Sequence, residues 1–170
     1  FITNCKSADF LVVLCLTAPS NPKVHNRFST IIVETDRPGY SANPYHGKLS
    51  IRTSETGDAT FKNVRVPVAN LLGQAGQGFY NIMNFFNRSR VQVAALAVGT
   101  AQGALDKAVA HVRTRKQFGA PLAALQMVQG KIAEMVTKTE AARSIYYRAA
   151  SKLAAGKPDP ALSSMAKWYC

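Results

Sequence analysis

Acidic side chains are scarce in this 170-residue sequence: nine Asp and Glu stand against 21 Lys and Arg, a net charge of +12 at neutral pH. Such an excess raises anionic partners, among them nucleic acid, acidic membranes and phosphorylated ligands. The cations are scattered, however, and the aromatic residues are not interleaved with them as a base-stacking surface requires. No nucleic-acid partner is expected; small anionic ligands or acidic protein partners fit the excess as well. Long apolar runs are also missing. Phe10 to Leu16 is among the longest and falls far short of the ~20 residues that cross a bilayer, so neither membrane insertion nor a signal peptide is expected. Only three cysteines occur, Cys5, Cys15 and Cys170, with no CxxC pair and no zinc spacing. This argues against a disulfide framework and for a reducing compartment. Cys5 and Cys15 are expected to be small buried residues. His25, His46 and His111 are isolated, no Glu-x-x-His occurs, and no metal is assigned.

What is present describes a globular chain with a core: 47% hydrophobic and 18% charged residues. The sequence opens inside a strand-like stretch, Phe1-Ile2-Thr3-Asn4, and stops at Lys167-Trp168-Tyr169-Cys170 inside a helical pattern without a cap. A piece of a longer protein is expected. Residues 1 to about 72 read as β-structure. Asp9 to Leu16 is nearly continuous in apolar residues and predicts a strand buried on both faces. Thr17 to Arg27 is rich in Pro and Asn and predicts a loop. Phe28 to Glu34 is a second strand, with β-branched Ile31, Ile32 and Val33. Asp36-Arg37-Pro38-Gly39 is a turn. Lys48 to Arg52 and Ala59 to Val66 are two further strands, the last ended by Pro67. Thr3 carries the first hydroxyl in the chain; its role is either packing or hydrogen bonding.

From Gly78 the period becomes helical. Phe79, Ile82, Met83, Phe86, Val93, Ala97, Leu105, Ala108 and Val112 form one stripe, predicting a helix to about Thr114, roughly 55 Å long. Gly99 inside it costs about 1 kcal/mol relative to alanine, which predicts a close neighbour or a ligand there. Asn87 and Arg90 project from one face; they form either a solvated patch or a polar clamp on an anionic or nucleotide-like ligand. Arg115 to Gln126 breaks the pattern through Phe118-Gly119 and Pro121. It is either a charged helix cap and turn or an anion contact made by Arg115, with Phe118 beside it and Gln126 supplying an amide. A second helix is predicted from about Ala123 to Ala155, stopped by Gly156-Lys157-Pro158. Asp159 then caps a third helix, with Pro160 at its first position. The fold class expected is α+β: part of a barrel-like antiparallel β-domain, then an incomplete antiparallel helical bundle.

Several stretches, taken in order along the chain, resemble the acyl-CoA dehydrogenases. They are Phe1-Ile2-Thr3-Asn4, Phe61-Lys62-Asn63-Val64-Arg65-Val66-Pro67, Asn70-Leu71-Leu72-Gly73, Ala101-Gln102-Gly103-Ala104-Leu105-Asp106, and Arg115-Lys116-Gln117-Phe118-Gly119 with Gln126. The resemblance implies that residues 1–73 are the second half of a middle β-domain and 74–170 the first helices of a C-terminal four-helix bundle. It implies FAD as cofactor. Phe1, Ile2 and Thr3 match the segment against the flavin ring, and Arg115, Lys116, Gln117, Phe118 and Gln126 match the contact with the FAD of a neighbouring subunit. A homodimer or homotetramer follows. Asn87, Arg90 and, in the loop after the first strand, Asn26 match contacts with the CoA part of an acyl-CoA substrate. The implied reaction is α,β-dehydrogenation of the thioester, with an electron-transfer flavoprotein as acceptor, in the cytoplasm or a mitochondrial matrix. The sequence departs from the family at one point. In a subgroup the catalytic Glu immediately precedes the arginine matched by Arg90, and that position is Ser89. A hydroxyl does not replace a carboxylate base, so no catalytic residue is assigned in the chain, and the chain alone is expected to be inactive. The alternative is a non-catalytic or oxidase-like homologue serving as a CoA- or flavin-binding or interaction module.

Overall fold

The computed structural model describes residues Phe1–Cys170, which divide into two units, Phe1–Met83 and Asn84–Cys170. In the first, β2 (Phe10–Leu16) and β3 (Phe28–Glu34) pair antiparallel from Phe10 opposite Glu34 to Leu16 opposite Phe28. The short β6 (Leu71–Leu72) borders β3 on its other side. A second antiparallel sheet has the order β1 (Ile2–Thr3), β5 (Thr56–Phe61), β4 (Tyr40–Pro44). The α+β class stands, but the strands form open three-stranded sheets and do not close into a barrel.

Three strand expectations change. β2 is not buried on both faces. It is an edge strand with only β3 beside it, and Phe10, Val12, Leu14 and Leu16 on one face are exposed. Lys48–Arg52 is not a strand. Ile51 adopts φ 50°, the Arg52 Nε–H donates to the Lys48 carbonyl at 2.7 Å, and the Lys48 ammonium donates to the Ser54 carbonyl. Side chains thus hold the main chain in a loop. The strand lies earlier, at Tyr40–Pro44, where pairing with β5 overrides a sequence containing Ser, Asn and Pro. The strand expected over Ala59 to Val66 ends at Phe61, because Asn63 turns into the left-handed region at φ 53°.

The passage from sheet to helix is made by buried hydroxyls. Ser29 Oγ accepts from the Gly76 N–H at 3.0 Å and lies 2.7 Å from Thr17 Oγ1. Thr30 Oγ1 donates to the Leu72 carbonyl at 3.0 Å and accepts from Asn81 Nδ2 at 3.1 Å. Ser29 and Thr30 are fully buried, so each needs these partners to offset its lost hydration. Gly78 then begins α1 (Gly78–Thr114) directly against the Ser29 backbone.

Glu34, at the end of β3, accepts from the Arg37 Nε–H and from Asn70 Nδ2. The Arg37 hydrogen bond foremost, then main-chain and Asn70 donors, lower its pKa to about 2. A folded-state pKa below the unfolded one gives stability that is present above the ordinary carboxylate range and lost as pH falls toward 2. The thermal midpoint is therefore expected to fall between pH 5 and pH 2, and Glu34→Gln is expected to flatten that slope. An unchanged slope in a melt series would remove Glu34 from the acid response.

The 37-residue α1, which belongs to the second unit from Asn84 on, has the bounds its stripe predicts. A Cβ at Gly99 meets no other part of the chain within 4 Å, so no close neighbour in these residues accounts for that glycine. α2 (Gln126–Ala154) starts later than Ala123, because Leu122–Ala124 form a 3-10 turn. It packs antiparallel to α1: Val112 shares a hollow with Ile132, and Ala97 shares another with Ala142. α3 (Pro160–Tyr169) is capped as expected, Asp159 Oδ1 accepting from the Leu162 N–H at 3.0 Å. Val91, Ala94, Ala149, Leu162 and Ala166 form the buried centre where the three helices meet. No helix is long and apolar enough to cross a membrane.

Candidate functional site

The turn between α1 and α2 is a β-hairpin. β7 (Lys116–Gln117) pairs with β8 (Ala120–Pro121), and the two residues between them, Phe118 at φ 54° and Gly119 at φ 80°, are both left-handed. That is the primed turn whose twist matches a hairpin. Glycine adopts it freely, whereas phenylalanine is held there against a cost of about 1 kcal/mol. The Phe118 ring is nevertheless 91% exposed, so no packing in the chain offsets that cost.

Arg115 sits where helix becomes hairpin. Its N–H donates to the His111 carbonyl and its carbonyl accepts from the Leu122 N–H, both at 2.9 Å. The backbone is thus fixed while the side chain stays exposed. The three ion pairs of the chain are Arg37–Glu34, Lys138–Glu134 and Arg143–Glu140; neither Arg115 nor Lys116 takes part. Gln117 is exposed beside them. Phe118 and Gln126 come together in one open hollow of about 510 Å³ with Leu125, Met127, Val128 and Lys131. A guanidinium fork, an ammonium, two amides and an exposed ring make a donor set suited to a diphosphate joined to a flat aromatic group. These residues fit a flavin dinucleotide.

The second cluster lies on α1. Asn87 is only 8% exposed, and its Oδ1 accepts from Arg90 Nη1 at 3.0 Å. The Arg90 guanidinium stands 5.9 Å from the Phe86 ring centre, within cation–π range. Ser89 Oγ donates back to the Phe86 carbonyl at 3.3 Å, which occupies its hydroxyl on its own helix. Phe86 did not emerge from the sequence as part of this cluster, although its spacing of four from Arg90 is the signal that would have found it.

In the first unit, Phe1 is 95% exposed and lies 5.4 Å, ring to ring, from Tyr45. Ile2 and Thr3 pair with Gly57 and Thr56. Thr3 is exposed. Tyr45 is brought to this end of the sheet by its N–H, which donates to the Thr56 carbonyl at 2.8 Å. No sequence spacing reveals it, because the pairing is non-local. Asn26 is half-buried and lines a separate hollow of about 360 Å³ with Thr17, Asn21, Ser29 and Gly76. The predicted residues therefore fall into four groups: Phe1–Thr3 and, apart from them, Asn26 in the first unit, and Asn87–Arg90 and Arg115–Gln126 in the second.

Residues 76–170 match the family model for the acyl-CoA dehydrogenase C-terminal domain. Over 98% of its length the chain is 44% identical to the acryloyl-CoA reductase (NADH) of Anaerotignum propionicum, covering 42% of that protein. Among solved structures, an acyl-CoA dehydrogenase from Geobacillus kaustophilus aligns with a TM-score of 0.92 and 34% identity, over 99% of this chain and 44% of that one. The butyryl-CoA dehydrogenase of Megasphaera elsdenii aligns with a TM-score of 0.90 and 37% identity, over 99% of this chain and 44% of the other. The chain belongs to the acyl-CoA dehydrogenase family, and it spans less than half the length of these relatives.

Proposed function

We propose that the protein to which these residues belong is an FAD-dependent oxidoreductase that removes the α and β hydrogens of an acyl-CoA thioester. The observation that carries this reading is the exposed Arg115–Gln126 hairpin, whose cations have no partner in the chain, in a chain of this family. Arg115 and Lys116 would hold the diphosphate of FAD, and Gln117, Phe118 and Gln126 would complete that contact. Phe1, Ile2 and Thr3 would lie against the flavin ring, with Thr3 offering its hydroxyl. FAD supplies the hydride-accepting chemistry when bound. The hairpin is read as serving the flavin of a second subunit, which makes the assembly a homodimer or homotetramer. Residues 1–73 form the end of a β-domain in this reading and 74–170 the start of the helical bundle. Asn87, Arg90 and Asn26 would contact the CoA portion, and an electron-transfer flavoprotein is the expected acceptor.

The carboxylate that takes the α-proton lies outside these residues in this reading. Ser89 is a hydroxyl tied to its own helix. Asp106 accepts from Gln102 at 2.8 Å, and Glu134 and Glu140 are ion-paired with Lys138 and Arg143. The full-length protein is expected to carry a flavin absorbance that bleaches anaerobically on adding an acyl-CoA. Asp106→Asn, Glu134→Gln and Glu140→Gln are each expected to leave that bleaching within about twofold of the unmodified rate. Loss of bleaching in any one of them would place the base inside this chain; absence of flavin would remove the reading altogether. A second reading, reduction of an enoyl-CoA, is favoured by the acryloyl-CoA reductase relative alone. NADH-driven consumption of acryloyl-CoA separates the two.

A further inference from the structure

β1 is two residues long and lies at the edge of its sheet, with only β5 beside it. So short a strand holds its place weakly by itself. The chain nevertheless turns sharply after Thr3, and that turn is closely tied. Asn4 is left-handed at φ 58°, a conformation asparagine tolerates better than most residues. Its N–H donates to the Glu55 carbonyl at 3.0 Å, and its own carbonyl accepts from the Ala8 N–H at 2.8 Å. The Glu55 side chain folds back onto the same turn. Its Oε1 accepts from the Lys6 N–H at 2.6 Å and from the Cys5 thiol at 3.6 Å. Cys5 is fully buried. Burial first, and then the Glu55 hydrogen bond, raise its pKa, so the thiol keeps its proton and remains a donor. The Cys5 carbonyl accepts from the Tyr40 hydroxyl of β4. One carboxyl oxygen thus gathers two donors of the turn, and it belongs to the residue next to Thr56, the partner of Thr3.

We propose that Glu55 is a positioning residue for Thr3: by clamping the Asn4–Lys6 turn it fixes how β1 presents the Thr3 hydroxyl to the flavin. The inference rests on the flavin-contact reading of Thr3 above and adds the device that holds it. Glu55 acts through the turn and not by touching the cofactor. What counts is an acceptor atom at that reach, not the negative charge. Glu55→Gln keeps the reach and loses the charge, whereas Glu55→Asp keeps the charge and falls short by one methylene, so the two variants separate the causes.

The test uses the full-length protein with Glu55→Ala, Glu55→Gln, Glu55→Asp, Thr3→Val and the double variant Glu55→Ala/Thr3→Val. The visible spectrum of the bound flavin is recorded, and then its anaerobic bleaching by butyryl-CoA. Glu55→Ala is expected to shift the flavin absorbance bands as Thr3→Val does, and to lower kcat about tenfold with KM unchanged. Glu55→Asp is expected to show the same changes in smaller degree, so a folding failure of Glu55→Ala does not decide the matter. Glu55→Gln is expected to stay within about twofold of the unmodified rate. In the double variant the second substitution is expected to add nothing, because both remove one contact. A merely structural Glu55 would leave the flavin bands in place and would add its effect to that of Thr3→Val; either result would overturn the proposal. So would a Glu55→Gln as impaired as Glu55→Ala, which would assign the effect to charge. Amide exchange in the apoprotein reads the clamp without the cofactor. The Asn4–Lys6 segment is expected to exchange about tenfold faster in Glu55→Ala, and unchanged exchange would also overturn the proposal. Absence of flavin from the unmodified full-length protein would instead overturn the flavin reading, and this inference with it.

Discussion

Arg115→Ala in the full-length protein is expected to weaken FAD binding roughly 10- to 100-fold while leaving the thermal midpoint of the apoprotein within about 2 °C. The two halves of that expectation have separate causes. The side chain is exposed and makes no ion pair with the chain, and substitutions at such positions usually change stability by no more than about 0.5 kcal/mol. The hairpin is built by main-chain bonds, from Arg115 N–H to the His111 carbonyl and from Leu122 N–H to the Arg115 carbonyl, which alanine retains. A charge-assisted bond to phosphate contributes about 1.5–3 kcal/mol, and each 1.4 kcal/mol is about tenfold in affinity. Lysine keeps the charge but not the planar fork, so Arg115→Lys should recover only part of the loss. Flavin content after dialysis, with the apoprotein melt beside it, checks both halves. Equal flavin content in Arg115→Ala and the unmodified protein would remove Arg115 from the cofactor contact.

The largest stability effect is expected at Gly78. A Cβ there would stand 2.5, 2.6 and 2.8 Å from the Ser29 carbonyl carbon, α-carbon and nitrogen. These are main-chain atoms of a strand paired on both sides, so they cannot swing away as a flexible side chain would. Gly78→Ala must separate the start of α1 from β3. It would also pull at the bonds from Gly76 N–H to Ser29 Oγ and from Asn81 Nδ2 to Thr30 Oγ1, leaving buried hydroxyls poorly paired. Overpacking costs about 1–3 kcal/mol, and an unsatisfied buried polar group about as much again. A loss of about 3 kcal/mol or more is expected, read as a large fall in thermal midpoint or soluble yield. Gly103 is the control. It lies within the same helix, and a Cβ there meets nothing within 4 Å. Gly103→Ala should stabilise the helix by about 0.5–1 kcal/mol. The same substitution is thus expected to act with opposite sign at two positions of one helix, and matching effects would contradict the packing described.

The helices were legible in the sequence because their signals are local. The α1 stripe, the Gly156-Lys157-Pro158 stop and the Asp159-Pro160 cap each lie within a few residues of the boundary they set. The strands were less legible because their partners are distant. Phe28–Glu34 declared itself through β-branched residues, but Tyr40–Pro44 is a strand only because Thr56–Phe61 lies beside it. Lys48–Arg52 fails as a strand because its own side chains bind its backbone. Gly99 differs for another reason: its cost in a helix points to a close neighbour or a ligand, and within these residues no neighbour approaches it. Of the candidate site, residue identities were available from motif resemblance, whereas the hairpin was not. Phe118 is a poor residue for a left-handed position, so composition alone does not suggest a two-residue primed turn there.

The open side of β2 bears on how the polypeptide behaves before it is fully folded. Phe-Leu-Val-Val-Leu-Cys-Leu, residues 10–16, has no charge and no proline, and one of its two hydrogen-bonding edges is free. Such a segment is a template on which another extended chain adds a strand. During synthesis β3 can pair with one edge once Phe28–Glu34 has emerged behind the Thr17–Arg27 loop, but nothing in these residues occupies the other. Concentration and the order of chain emergence, rather than the final stability, then decide between folding and aggregation for this part of the molecule.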